Sequence, residues 1–233
     1  MPSVVITGAS QGIGRAVAEA FATHDGARIA LLSRTQNKLE QVASECRDHG
    51  AEAMVVPCDV TDDAAVEEAA ATVRDTWGTP DIVVNNAGLF VPAALEDITA
   101  EQFREQVAVN LTSAFVVTKA FLEGMIARGS GHLFFMASVA SIMAYPNGVA
   151  YGAAKHGLLG LARTVREETK EHGLRVTSLL PGATYTPSWE GVDLPEKRFM
   201  RPEDIADTVT SIYNLSDRTV VEEVILRPQL GDV

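Results

Sequence analysis

Thr7-Gly8-Ala9-Ser10-Gln11-Gly12-Ile13-Gly14 follows the apolar run Val4-Val5-Ile6 and leads into a helical pattern from Arg15 to Ala22. Glycine at positions 8, 12 and 14 permits a tight turn. Such a turn brings backbone N–H groups and a helix N-terminus to one point, the arrangement that receives a pyrophosphate. A bare glycine pattern can be no more than a structural turn. At the first strand-to-helix junction it predicts a dinucleotide site, with Ser10, Gln11 and Ile13 carried in the same loop.

Outward from this loop, short apolar runs alternate with longer amphipathic stretches: Val4 to Thr7, Arg28 to Ser33, Ala53 to Val56, Asp81 to Val84, His132 to Met136, Arg175 to Leu180 and Val221 to Leu226. That rhythm predicts an α/β doubly wound Rossmann fold, a parallel sheet of roughly seven strands covered by helices on both faces. The 233 residues contain no interior linker and read as one domain, 1–233. Helix punctuation agrees: Thr61-Asp62-Asp63 opens Ala64 to Trp77, Gly78 and Pro80 close it, and Thr99 with Gln102 forms a capping box. The rhythm breaks at about 185–200, where two prolines, Gly191, Trp189 and mixed charges predict a long excursion of the kind that serves as a lid.

Composition narrows the function. Hydrophobic residues at 46% and charged residues at 21% describe an ordinary globular chain. A net charge of −12 excludes a nonspecific nucleic-acid binder, because phosphate contacts need clustered Lys and Arg. The weakly charged stretch Ala108 to Ala127 contains Asn110, Lys119 and Glu123 and reads as a buried helix, so no membrane partner is expected. The N-terminus carries no secretory pattern, which makes cytoplasm the expected location. Cys46 and Cys58 offer neither a disulfide framework nor metal-ligand spacing, and no metal is expected.

In dinucleotide folds an acidic residue about 20 positions past the glycines holds the ribose 2′-hydroxyl of NAD. Here the corresponding stretch is Leu32-Ser33-Arg34-Thr35. A guanidinium at this point can pair bidentately with a 2′-phosphate and stack on adenine, which favours NADP(H) over NAD(H); a solvated surface arginine is the plain alternative.

With these residues in place the chain resembles the short-chain dehydrogenase/reductases over nearly its whole length. The TGxxxGxG loop, Asp59 in Cys-Asp-Val, Asn85-Asn86-Ala87-Gly88, Asn110, Ser138, the Tyr151-x-x-x-Lys155 pair and Pro181-Gly182 stand in the family's order. The resemblance implies that Asp59 with Val60 contacts the adenine and that Asn86, Ala87 and Gly88 lie beside the cofactor. It implies that Ser138 hydrogen-bonds the substrate oxygen, that Lys155 also holds the nicotinamide ribose, and that Asn110 orders a water linking the lysine to solvent. Taken singly, each has a dull reading as packing, surface charge, turn or helix bend.

Tyr151 and Lys155 are four apart in a helical pattern, so both side chains project from one face. A phenol with a reference pKa near 10 is a poor base at neutral pH, and an adjacent ammonium is expected to lower it. Tyr151 can then donate a proton to a forming alkoxide and remove one in the reverse direction. His156 points about 100° away and is left out.

Two places depart from the family pattern. Thr184 occupies a position after Pro181-Gly182 that is usually aliphatic, leaving its backbone contact to the carboxamide and Thr186 as the hydroxyl on the nicotinamide side. The chain ends Arg227-Pro228-Gln229-Leu230-Gly231-Asp232-Val233 in place of the common Asp-Gly-Gly segment. That ending points away from a fatty-acid-synthesis reductase and toward members acting on hydroxy acids, diketones and aldehydes. The expected partner is a small carbonyl or alcohol substrate, with a homodimer or homotetramer formed through the long helices. Met143, Tyr145 and Trp189 are the first candidates for the pocket wall. A protein that senses NADP without turnover, or a scaffold with a vestigial site, is the competing reading.

Overall fold

Each apolar run becomes a strand: β1 (Ser3–Thr7), β2 (Arg28–Ser33), β3 (Glu52–Pro57), β4 (Ile82–Asn85), β5 (Gly131–Met136), β6 (Leu174–Pro181) and β7 (Glu223–Leu226). In the computed structural model, which describes residues 1–189 and 191–232, these strands form one parallel sheet in the order β3-β2-β1-β4-β5-β6-β7. The helices between them are α1 (Gly12–Ala22), α2 (Gln36–Asp48), α3 (Asp63–Trp77), α4 (Ala100–Val107), α5 (Ser113–Arg128), α6 (Val149–Thr169) and α7 (Pro202–Tyr213).

Alternation along the strands divides the core. Val4 and Ile6 join Val17, Phe21, Leu39 and Ile205 under α1, α2 and α7. Val5 turns the other way, joining Val66, Val117, Phe121 and Leu158 under α3, α5 and α6. Successive side chains of a strand point to opposite faces, and a sheet covered twice must be apolar on both. This is why β1 and β4 are buried at every position.

The caps read from the sequence are present: Asp62 accepts from Ala64 N and Ala65 N, Gly78 closes α3, and Thr99 and Gln102 form a reciprocal capping box. Two expectations shift. α1 already begins at Gly12, so the second and third glycines are helical residues. The stretch expected as a buried helix from Ala108 to Ala127 begins as a π turn, Ala108–Thr112, before α5. Its sheet-facing side, with Val117, Phe121 and Met125, is fully covered, whereas Phe115 on the other side is 49% exposed. Alanine- and valine-rich composition conceals this two-sidedness, because the outer face is apolar as well.

The excursion after β6 is pinned at both ends. Tyr185 N donates to Met200 O at 2.8 Å and Met200 N donates to Ala183 O at 3.0 Å, and between them lie short 3-10 turns at Pro187–Trp189 and Glu196–Arg198. Of the expected lid, 185–200, Glu190 lies outside the described residues, as does Val233 of the expected domain.

β5 and β6 share a buried polar pair. Thr177 Oγ1 donates to Val221 O at 2.6 Å, so it accepts from His132 Nε2, 2.8 Å away. His132 stacks on Phe134 at 4.0 Å, its Nδ1 has no partner, and burial pushes its pKa down to about 3. The unfolded chain therefore takes up a proton near pH 6.5 that the folded chain refuses, and stability falls as pH drops from about 6.5 toward 3. His132→Gln is expected to lose less stability than the parent between pH 6 and 4, by about 1 kcal/mol per pH unit. Urea unfolding at pH 6, 5 and 4 checks this; parallel declines in the two proteins would refute it.

Candidate active site

In a parallel sheet all strands end on one edge, and β1 has neighbours whose connections leave in opposite directions, β2 and β4. The crevice at such a reversal is where ligands bind in open α/β sheets. The glycine loop after β1 and Asn86-Ala87-Gly88 after β4 meet there. Thr7 Oγ1 donates to Val84 O at 3.3 Å and accepts from Asn86 N and Ala87 N, each at 3.0 Å. Asn86 Nδ2 reaches back to Thr7 O at 2.9 Å and Gly8 O at 3.3 Å. Asn86 therefore splints the loop.

The glycines are dictated by this splint. Gly8 sits at φ 65° and Gly12 at φ 56°, in the left-handed region. A Cβ on Gly14 would stand 2.4 Å from both Asn86 Nδ2 and Gly8 O. Thr186 closes over the loop, its methyl 3.2 Å from where a Gly12 Cβ would lie. The first turn of α1 has no side-chain cap from Gln11 and no acidic residue, which leaves its N–H groups for an anion.

Beside the loop, Ser33 ends β2 and its Oγ accepts from Thr35 N at 3.4 Å. Arg34 is exposed and has no ion-pair partner among the described residues. It is close enough to Asp59 to help hold that carboxyl below its ordinary value, after the larger effects of the Thr61 N–H and hydroxyl, which both donate to Asp59 Oδ1. Val60 is buried next to it. Lys38, in the first turn of α2 and not among the residues expected from the sequence, donates to Gln11 Oε1 at 2.9 Å and adds a second cation beside the loop.

The glycine cradle, the uncapped helix end and the two cations together fit a nicotinamide dinucleotide carrying an extra phosphate.

The sheet edge continues to Ser138, Tyr151 and Lys155. Ser138 Oγ donates to Pro181 O at 3.4 Å and accepts from Ala140 N at 3.1 Å, which fixes the hydroxyl beyond β5. Lys155 is buried on α6 and donates from Nζ to Met136 O at 2.7 Å. Nζ lies 5.5 Å from the centre of the Tyr151 ring. A Cβ on Gly88 would stand 3.1 Å from Asn110 Oδ1 and 3.8 Å from Lys155 Nζ, so the glycine leaves a hollow before both.

Asn110 sits in the π turn. Its Nδ2 donates to Leu89 O at 2.7 Å and Gln106 O at 2.9 Å, while its Oδ1 accepts from Leu89 N at 3.2 Å. One amide hydrogen and the amide oxygen thus brace Leu89 in the loop after β4, while the other hydrogen is spent on Gln106 O of α4. Gly182 N donates to Leu226 O at 2.7 Å, and Thr184 is buried with its hydroxyl on Gly182 O at 3.1 Å. Of the expected wall, Tyr145 packs 6.2 Å from Phe90, Trp189 packs 4.9 Å from Phe199, and Met143 is exposed.

The electrostatics differ from the expectation for Tyr151. Burial raises the pKa of its phenol, and the neighbouring Ser138 hydroxyl acts in the opposite sense. Burial also lowers Lys155 to about 7. Desolvation outweighs the attraction that adjacency in sequence implied, because it weakens the ammonium that was to do the lowering.

Comparison with known proteins places this geometry. A family model described as short chain dehydrogenase matches residues 2–197. A protein named sepiapterin reductase from Chlorobaculum tepidum is 40% identical, over 99% of this chain and 97% of its own length. The alcohol dehydrogenase of the archaeon Thermococcus sibiricus, solved with 5-hydroxy-NADP, superposes with a TM-score of 0.92 at 34% identity and covers 100% of this chain and 99% of its own. L-Sorbose reductase from Gluconobacter frateurii, solved with NADPH and L-sorbose, gives 0.88 at 27% identity over 97% and 95%.

Lys155 supplies a direct test of the desolvation. Its folded pKa lies below its unfolded value of 10.5, so the unfolded state holds more protons between about 7 and 10.5 and stability contributed by this group rises with pH across that window. Lys155→Met is expected to gain most over the parent near pH 7, by a few kcal/mol, and to lose that advantage by pH 10. Unfolding without added cofactor at pH 7, 8, 9 and 10 checks this. A difference independent of pH would overturn it.

Proposed function

The chain belongs to the short-chain dehydrogenase family, and from that premise we propose that it is an NADP-linked oxidoreductase reducing a carbonyl to an alcohol, with Tyr151 as proton donor. The single observation that carries the reading is the grouping of Ser138 and Lys155 about Tyr151, the hydroxyl acting on the phenol and the Lys155 Nζ 5.5 Å from the centre of its ring. Solved relatives bound to NADP or NADPH support the choice of cofactor.

When bound, the nicotinamide supplies the hydride. The protein's own groups bind, orient and move one proton. Gly8, Ser10, Gln11, Gly12, Ile13 and Gly14 offer backbone N–H groups to the pyrophosphate. Ser33 and Arg34 receive the 2′-phosphate, and Asp59 and Val60 border the adenine. Asn86, Ala87, Gly88, Pro181, Gly182, Thr184 and Thr186 border the nicotinamide half, with Tyr151 and Lys155 at its ribose.

Burial keeps the Tyr151 phenol protonated at neutral pH, the state required of a donor to a forming alkoxide. Ser138 holds the same oxygen by turning its one hydroxyl hydrogen away from the long 3.4 Å contact to Pro181 O, while Ala140 N continues to donate to its Oγ. Lys155 holds its ammonium on Met136 O, 5.5 Å from the centre of the Tyr151 ring. Asn110 acts in this scheme by fixing Leu89 and hence Gly88. The pinned segment at 185–200 serves as the lid, and the assembly is a homodimer or homotetramer.

Two substitutions test the reading. Tyr151→Phe is expected to lower kcat for NADPH-linked ketone reduction by about 1,000-fold, with a far smaller change in the NADPH Kd. Steady-state rates and fluorescence titration separate the two; a parent protein that binds NADPH yet reduces no ketone, diketone or aldehyde would be a sensor instead. Arg34→Asp is expected to weaken NADPH relative to NADH by about 10- to 100-fold, the worth of a charge-assisted pair. An unchanged ratio would remove Arg34 from the 2′-phosphate.

A further inference from the structure

In front of Tyr151 the loop after β4, 89–95, meets the segment 139–151. Ala93 N donates to Asn147 O at 3.0 Å, and Ala93 bridges to Gly148. Phe90 sits between two residues whose backbones are clamped by buried amides. Leu89 is held by Asn110. Val91 is held by Gln106, whose Nε2 donates to Val91 O at 3.0 Å and whose Oε1 accepts from Val91 N at 3.2 Å. The Phe90 ring therefore has little freedom to withdraw. It meets the Tyr151 ring edge to face at 5.0 Å and 61°, and the Tyr145 ring at 6.2 Å and 66°. Tyr145 in turn lies against Gly148, where a Cβ would stand 2.5 Å from the ring. The result is a fixed row of three rings from the proton donor to solvent, with Tyr145 still 40% exposed at its outer end.

The same two segments carry no Asp, Glu, Lys or Arg in twenty residues, where the overall 21% would give about four. Lys155, the nearest cation, is turned to Met136 O. Arg198, at the end of the 3-10 turn Glu196–Arg198, donates to the backbone carbonyl of Asp232 at 3.4 Å. A carboxylate or phosphate held against this row would be desolvated with no counter-charge from either segment, which is costly. A flat ring gains area burial and a further 0.5–1.5 kcal/mol or so from each well-placed aromatic partner.

Resting on the reading above, we infer that the substrate is an uncharged ketone or diketone whose carbonyl is conjugated to a flat ring, seated against Phe90 and Tyr145, and that Phe90 selects for the ring. This removes hydroxy acids and keto acids from the range of acceptable substrates.

Matched substrates separate the two parts. Methyl benzoylformate against benzoylformate isolates charge, and methyl benzoylformate against methyl pyruvate isolates the ring. With NADPH, kcat/KM is expected to favour the aryl ester over its acid by about 100-fold and over methyl pyruvate by about tenfold. In Phe90→Leu the ring preference is expected to fall below about threefold, chiefly through KM. In the dead-end complex with NADP⁺, saturation-transfer NMR of methyl benzoylformate is expected to mark ring protons more strongly than the ester methyl. Equal rates for the two esters, equal rates for acid and ester, or a ring preference unaltered in Phe90→Leu would overturn the proposal. Failure to reduce any of the three compounds while binding NADPH would instead overturn the reductase reading, and this proposal with it.

Discussion

The splint between Thr7 and Asn86 is the interaction on which the rest depends. β1 and β4 run side by side, but their following connections leave to opposite faces, so nothing in the regular ladder holds the two ends at a set distance. One hydroxyl and one amide supply that restraint: Thr7 Oγ1 takes two backbone N–H groups, and Asn86 Nδ2 takes two backbone carbonyls. These groups are withdrawn from water, and leaving any of them unpaired costs about 1–3 kcal/mol. The glycine at position 14 follows from the splint, since any side chain there would displace the amide.

A second theme is how the site uses desolvation. Lys155 and Tyr151 share a region where charge is disfavoured, and the two pKa values move apart: the ammonium falls to about 7 while the phenol rises above its ordinary value. The protein thereby keeps its donor loaded with a proton. It also keeps the Lys155 amine 5.5 Å from the centre of the phenol ring, held on a single carbonyl.

Much of this was legible in the sequence, for stated reasons. The seven strands are short apolar runs bounded by polar helices, and a sheet covered on both faces leaves that mark on composition alone. The capping residues Asp62, Thr99 and Gln102 act within three residues of themselves, so local reading suffices. What escaped was nonlocal. Gln106 and Asn110 brace a loop 15 and 21 residues away, and nothing in their neighbourhood announces it. The π turn is invisible because it replaces one helical hydrogen-bond pattern by another without altering residue type. The direction of the Tyr151 shift was misjudged because spacing reports proximity but not burial.

The excursion after β6 offers a last consequence. Its two ends are joined by backbone hydrogen bonds at Ala183, Tyr185 and Met200, so the chain between them closes on itself before it reaches α7. Lengthening such a closed loop adds little entropy cost, about 0.6 kcal/mol per doubling, and transmits no strain to β6. Changes of length between Pro187 and Arg198 are therefore expected to leave the sheet and the glycine cradle in place, provided that Thr186 keeps its position over Gly12. The fold separates what must be kept from what selection is free to rewrite.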